Sequence, residues 1–167
     1  MFNFTLLFAQ AVILVYALVG GVFMAFSDFI MRALIRTSGT GGAEAMHVIN
    51  REVFRWVFMV LFIGLAPASL GMALYGLIFI GGAAGLILAI AGLIYLIGCF
   101  GVTVCFNVPL NNRLARMSLS DPEANSFWQK TYVPRWTLWN TVRGLACVLS
   151  AVLMLSALPR LVSMAHL

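Results

Sequence analysis

Charge is scarce in this sequence: ten Lys and Arg and five Asp and Glu are spread over 167 residues, 9% of the chain. A soluble domain carries about a quarter of its residues charged. Here 63% of the residues are hydrophobic and the mean hydropathy is +1.04. That excludes a water-soluble globular domain, because so much apolar surface cannot be hidden in one core. Cysteine is scarce as well. Cys99, Cys105 and Cys147 have no CxxC spacing and no histidines clustered beside them, which argues against a zinc site or a disulfide framework and for small apolar packing. Of the two histidines, His166 sits in the C-terminal tail and His47 lies where a helix begins. The first apolar stretch has no Lys or Arg before it and runs on past Phe26, too long and wrongly flanked for a cleavable signal peptide. It is expected to remain as a helix.

What the chain has instead is long apolar runs. A bilayer core about 30 Å thick needs about 20 helical residues, so the length suits four spans with short connections. They are expected at about 4–35, 53–80, 83–106 and 135–158. The expected fold is all-α: a polytopic membrane protein, one domain over residues 1–167, built as a four-transmembrane-helix bundle. Pro67 is an expected kink in the second span. Gly81 and Gly82 make the turn into the third, where Gly85, Ala89 and Gly92 form a small-residue stripe suited to close helix packing. Between the third and fourth spans, Ser120 and Glu123 have the spacing of a capping box and Pro122 suits a first helical turn. A short interfacial helix is expected there, its Phe127, Trp128 and Tyr132 lying against the membrane surface.

Basic residues set the orientation. Arg32, Arg36, Arg51 and Arg55 flank the first connection, and Arg113, Arg116, Lys130, Arg135 and Arg143 flank the third, whereas the second has none. By the positive-inside rule the first and third connections are cytoplasmic and both termini lie outside. The expected location is therefore a cell membrane, with multiple passes. The formal charge of +5 is explained by topology, not by nucleic acid, which is not an expected partner.

The polar residues gather near that cytoplasmic face. Asp28 lies one turn inside the end of the first span, where an ionisable group is costly and so is a functional candidate. Arg32, at i+4, offers it an ordinary ion-pair partner. Asn107, Asn111 and Asn112 cluster around Pro109, which removes a backbone donor and loosens the helix there. Trp136, Asn140 and Arg143 fall at i, i+4 and i+7, with Trp139 beside them, so one face presents indole, amide and guanidinium. Asn50 and Arg51 complete a ring of polar groups from all four spans. The alternative is that these amides only cap helix ends and tie helices together, each such bond contributing about 0.6–2 kcal/mol.

Four segments carry a family resemblance: Phe26-Ser27-Asp28-Phe29-Ile30-Met31, Ala45-Met46-His47-Val48-Ile49-Asn50-Arg51, Asn107-Val108-Pro109-Leu110-Asn111-Asn112-Arg113-Leu114-Ala115, and Trp136-Thr137-Leu138-Trp139-Asn140-Thr141-Val142-Arg143. Together they resemble the anthrone oxygenase-like membrane proteins, the third and fourth being the most specific. His47 departs from the pattern, since it stands where that family has Gln. The resemblance implies oxidation of an anthrone to an anthraquinone with no cofactor, neither metal nor flavin. On that reading Arg143, Asn140, Asn107 and Asn111 stabilise an oxyanion, Trp136 and Trp139 stack on the ring, and Asp28 or His47 removes a proton. Asn50 and Asn112 complete the binding site, and no residue is expected to bind a metal. The implied partners are the lipid bilayer and a hydrophobic aromatic small molecule, with a homo-oligomer left open. Two other readings use the same residues: a non-catalytic membrane subunit that binds or transports a lipid, quinone or similar molecule, and a purely structural network.

Overall fold

The computed structural model describes the backbone of residues 2–55 and 57–165 and the side chains of residues 4–55 and 57–163. His166 lies outside the described residues. Every regular element among the described residues is helical. Among the described residues four helices are long and apolar enough to cross a membrane: α1 (Phe4–Ile35), α3 (Val57–Ile80), α4 (Gly82–Ala115) and α5 (Pro122–Ser163), with the shorter α2 (Gly41–Glu52) between the first two. The spans form a ring in the order α1, α5, α4, α3, each antiparallel to its neighbours. Large apolar side chains such as Leu14, Ile63, Leu86 and Leu145 are exposed around its outside, as a lipid-facing belt requires.

Small residues decide how closely the spans approach. A Cβ on Gly85 would lie 2.1 Å from the Gly76 carbonyl oxygen, and one on Gly92 would lie 2.4 Å from that of Ser69. The small-residue stripe therefore brings α4 against the backbone of α3. Between these spans Gly81 and Gly82 have φ of 66° and 54°, left-handed conformations that glycine adopts without strain. Polar groups inside the bundle bond locally: the Tyr16 and Ser69 hydroxyls pair at 2.6 Å, Tyr95 donates to the Phe62 carbonyl and Ser150 to that of Ala91. Cys99 and Cys147 meet across α4 and α5 at 3.4 Å between sulfurs, both free thiols and buried. Helix α3 runs through Pro67.

Three of the spans, α1, α4 and α5, are longer than the apolar thickness of a bilayer requires. At about 1.5 Å per residue, the 42 residues of α5 reach about 63 Å, twice the apolar thickness of a bilayer. The C-terminal ends of α1 and α4 and the N-terminal end of α5, together with α2, enclose a second core of Met31, Met46, Leu114, Phe127, Trp128, Tyr132 and Trp136. This corrects two expectations. Phe127, Trp128 and Tyr132 are 5%, 4% and 0% exposed, so they pack into protein and do not lie on a membrane surface. The capping box is not formed either: Asp121 is the N-cap, one residue after Ser120, whose hydroxyl pairs with Ser118. Pro122 does occupy the first turn.

Candidate functional site

A cavity of about 110 Å³ lies where the apolar bundle meets this second core. Each side chain at its polar end is held by a neighbour. Asn140, 0% exposed, donates from Nδ2 to the Phe23 carbonyl at 2.6 Å and to Ser27 Oγ at 2.7 Å. With its amide nitrogen committed to α1, its oxygen is left to accept from Arg143 Nη2 at 2.7 Å. Arg143 Nη1 donates to Thr103 Oγ1 at 3.2 Å. The guanidinium carbon also lies 4.2 Å from the Phe23 ring centre and 5.3 Å from that of Trp136, so two aromatic faces flank the cation.

A second group orients Asn111. Its oxygen accepts from Tyr132 Oη at 2.8 Å and from the Trp136 indole nitrogen at 2.9 Å. Two donors on the oxygen leave the Asn111 amide N–H groups directed elsewhere, and this residue lines the cavity. Asn50, from α2, donates to Tyr132 Oη at 3.3 Å and lines the same wall. Asn107 is buried beside them, donating to the Trp136 carbonyl at 3.2 Å, while its oxygen finds no partner among the described residues.

The backbone shape here follows from sequence. Pro109 and Pro134 have no N–H to continue an α-helical ladder, and a widened turn directly precedes each. Val108 N–H reaches back five residues to the Thr103 carbonyl, and Val133 N–H to that of Trp128. A third such turn joins Met31 N–H to the Phe26 carbonyl in α1. Turns of this kind re-aim side chains and recur at functional sites.

Electrostatically the site is unusual. Arg143 is 5% exposed, yet among the described residues every hydrogen-bond partner it has is neutral. Among the described residues the ion pairs are Arg32 with Asp28 and Arg55 with Glu52, both at the surface. Buried charges are normally paired, and in a membrane protein an unpaired one marks a functional position. Arg143 Nε also lacks a partner among the described residues. The remaining wall is apolar: Val22, Phe26, Met46, Phe54, Phe58, Met59 and Phe62.

Of the residues singled out from sequence, Asn50, Asn111, Trp136, Asn140 and Arg143 share this cavity, with Asn107 buried next to it. His47 and Asn112 line a neighbouring pocket of about 180 Å³, which shares Asn50, Phe54, Val108 and Asn111 with the cavity. His47 Nδ1 is buried there with no hydrogen-bond partner among the described residues. Two residues are not brought in. Asp28 is exposed and pairs with Arg32 at 2.6 Å, its own helix turning it away from the bundle. Trp139 stacks on Phe106 with ring centres 3.9 Å apart, away from the cavity wall. Sequence reasoning passed over Thr103, Ser27 and the role of Tyr132. A hydroxyl within an apolar span was the available signal for the first two. Because the Asp28–Arg32 pair is exposed, Asp28→Asn is expected to change stability by only about 0–1 kcal/mol. A thermal melt of the solubilised protein checks this.

The family model described as anthrone oxygenase matches residues 51–153, more than half of the chain. The matched stretch holds Thr103, Asn107, Asn111, Trp136, Asn140 and Arg143, and leaves out α1, His47 and Asn50. No curated protein and no solved structure matches the chain.

Proposed function

This chain belongs to the anthrone oxygenase family, and from that premise we propose that it oxidises a flat, hydrophobic phenolic or anthrone-like molecule with dioxygen in the cavity around Arg143. The observation that carries the reading is the buried guanidinium with only neutral partners. Such a group is a standing counter-charge for an anion, and an enolate or phenolate is the anion that a mostly apolar pocket accepts.

The chemistry asks three things of the protein. It must favour the deprotonated ring, hold the ring flat and keep water away. Arg143 stabilises the oxyanion, with the Asn111 amide as a neutral donor beside it, while Asn140 and Thr103 fix the guanidinium. Trp136, flanking the cation, offers the ring face, and the surrounding phenylalanines exclude water. The anion passes an electron to dioxygen, the two radicals combine as a carbon-bound peroxide, and loss of water leaves a carbonyl. One oxygen atom ends in the product and one in water, and the substrate CH₂ is oxidised by four electrons as dioxygen is reduced by four.

The proton acceptor is the least equipped part of the site. Among the described residues that line the cavity there is no carboxylate and no imidazole. His47, in the adjoining pocket behind Asn50 and Asn111, takes this role in the proposal, and Asp28 does not. The pocket is placed on the cytoplasmic side of a cell membrane with both termini outside. Arginines at the ends of α1, α2 and α4, near the second core, support that orientation.

Oxygen uptake with an anthrone as substrate tests the reading. Purified protein in lipid should consume oxygen well above the buffer rate and yield the ring ketone; a rate equal to protein-free vesicles sinks it. Tyr132→Phe keeps the ring between Trp128 and Trp136 but removes the donor to Asn111 and the acceptor for Asn50. The loss of such a hydrogen bond costs about 0.5–1.5 kcal/mol, so the variant is expected to melt a few degrees lower and, through the misplaced Asn111 and Asn50, to lower kcat/KM by about threefold to tenfold beyond the loss of folded protein.

A further inference from the structure

Away from the cavity, polar groups collect on the outer side of the seam between α1 and α5. A groove of about 390 Å³ lies there, and its lining includes Ser27, Arg32, Ile35, Thr137, Leu138 and Thr141. Three of these are hydroxyl residues, and not all of them are satisfied. Thr141 Oγ1 lies 2.9 Å from both Ser27 Oγ and the Thr137 carbonyl oxygen. The Thr137 hydroxyl is buried with no partner among the described residues. A buried hydroxyl left in that state costs about 1–3 kcal/mol, and an acceptor brought by a ligand removes the cost.

One end of the groove is charged and the other apolar. Arg32 Nε donates to the Asp28 carbonyl, and Nη2 donates to the Asp28 carboxylate at 2.6 Å. Both side chains are exposed, so the remaining guanidinium edge and the second carboxylate oxygen stand side by side and open to a ligand. Between Phe4 and Ser27, α1 rises about 36 Å, the full apolar thickness of a bilayer, which puts this pair at the depth of lipid headgroups. In the other direction Met24, one turn from Ser27, and Leu145, one turn from Thr141, continue the same face. Both are apolar and exposed.

We propose that this groove binds a phospholipid with a primary ammonium headgroup, of the phosphatidylethanolamine type. The phosphate sits on Arg32, the ammonium on Asp28, a glycerol ester oxygen accepts from Thr137, and an acyl chain runs over Met24 and Leu145. A choline headgroup has no N–H to give Asp28, and a glycerol headgroup has no cation. The Asp28–Arg32 pair therefore discriminates among headgroups by charge. This site does not depend on what the cavity binds, although the two share a wall. Ser27 Oγ also accepts from Asn140 at 2.7 Å, and Asn140 in turn accepts from Arg143, so a lipid seated in the groove braces the contact between α1 and α5.

The test uses the full chain in detergent, with defined lipids of matched acyl chains added one at a time. Native mass spectrometry counts the lipid retained, and a thermal melt is run alongside. One phosphatidylethanolamine per chain should be held at least about tenfold more tightly than phosphatidylcholine or phosphatidylglycerol, and it should raise the melting temperature most. Arg32→Gln, which removes a charge-assisted bond to the phosphate, should lower its retention about tenfold. Asp28→Asn should bring phosphatidylethanolamine down to the level of phosphatidylcholine. Thr137→Val keeps the shape but not the hydroxyl and should weaken binding about threefold to tenfold. Arg116→Gln, on α4, should change none of this. Equal retention of the three lipids overturns the proposal, as does retention of phosphatidylethanolamine unchanged by the three groove substitutions. So does a preference for phosphatidylglycerol, the mark of a general attraction between basic residues and anionic lipid.

Discussion

Arg143→Met is expected to lower kcat/KM for an anthrone or phenol by about 10²–10³, the loss seen when one donor to a developing oxyanion is removed. Its melting temperature is expected to stay within a few degrees of the parent. The two effects are separable because opposing terms act on stability. Removing the guanidinium leaves the Asn140 oxygen without its 2.7 Å donor, at a cost of about 1–3 kcal/mol. It also removes a buried cation that has no anionic partner among the described residues, and whose burial is itself unfavourable. The two effects oppose each other. If Arg143 instead served to tie helices together, the variant would unfold at a clearly lower temperature and activity would fall only with the folded fraction. Arg143→Lys keeps the charge but replaces a planar fork that spans Asn140 and Thr103 by a single ammonium, so partial activity is expected.

The second large effect is structural. Gly85→Val is expected to destabilise the solubilised protein by about 3 kcal/mol or more, the upper end for overpacking a tight contact. Its first added carbon would lie 2.1 Å from a backbone oxygen of α3, and backbone cannot swing aside as a side-chain tip can. The spans must separate along the seam that Gly76, Gly85 and Gly92 close. Gly64→Val is the control, since nothing lies within 4 Å of a Cβ there. A melt comparison in one detergent should show a large drop for the first variant and almost none for the second; equal behaviour would mean that small residues do not set the α3–α4 distance.

Much of this was legible in the sequence because hydropathy dictates the spans and i, i+4, i+7 spacing dictates a helix face. Trp136, Asn140 and Arg143 had to share one side of α5, and the Pro109 segment had to bring several amides near a disturbed turn. What could not be read was the rotation of each helix about its own axis. Residues 27 and 28 are neighbours in the chain but point roughly a quarter-turn apart around the widened turn of α1. Ser27 meets Asn140 and Thr141, which leaves Asp28 on the outside with Arg32. Trp136 and Trp139 separate in the same way: one faces the cavity and the other covers Phe106. Tyr132 looked like an interfacial aromatic because its burial depends on α2 and on the ends of α1 and α4 folding over it, contacts that no local pattern encodes. Phe23 was likewise invisible as a site residue. Its contributions are a carbonyl oxygen and a ring face, and neither distinguishes it from the other phenylalanines of α1.

The central claim, that the cavity stabilises an aromatic oxyanion at Arg143, is tested most directly by the absorption spectrum of a bound nitrophenol. Its anion absorbs at longer wavelength than its neutral form. At a pH about one unit below the dye's own pKa, where about nine-tenths of the free dye is neutral, binding should bring up the anion band, since an opposite charge nearby favours the ionised form. The band should be absent with Arg143→Met. Binding of the dye in its neutral form, or an anion band unchanged by that substitution, would contradict the claim.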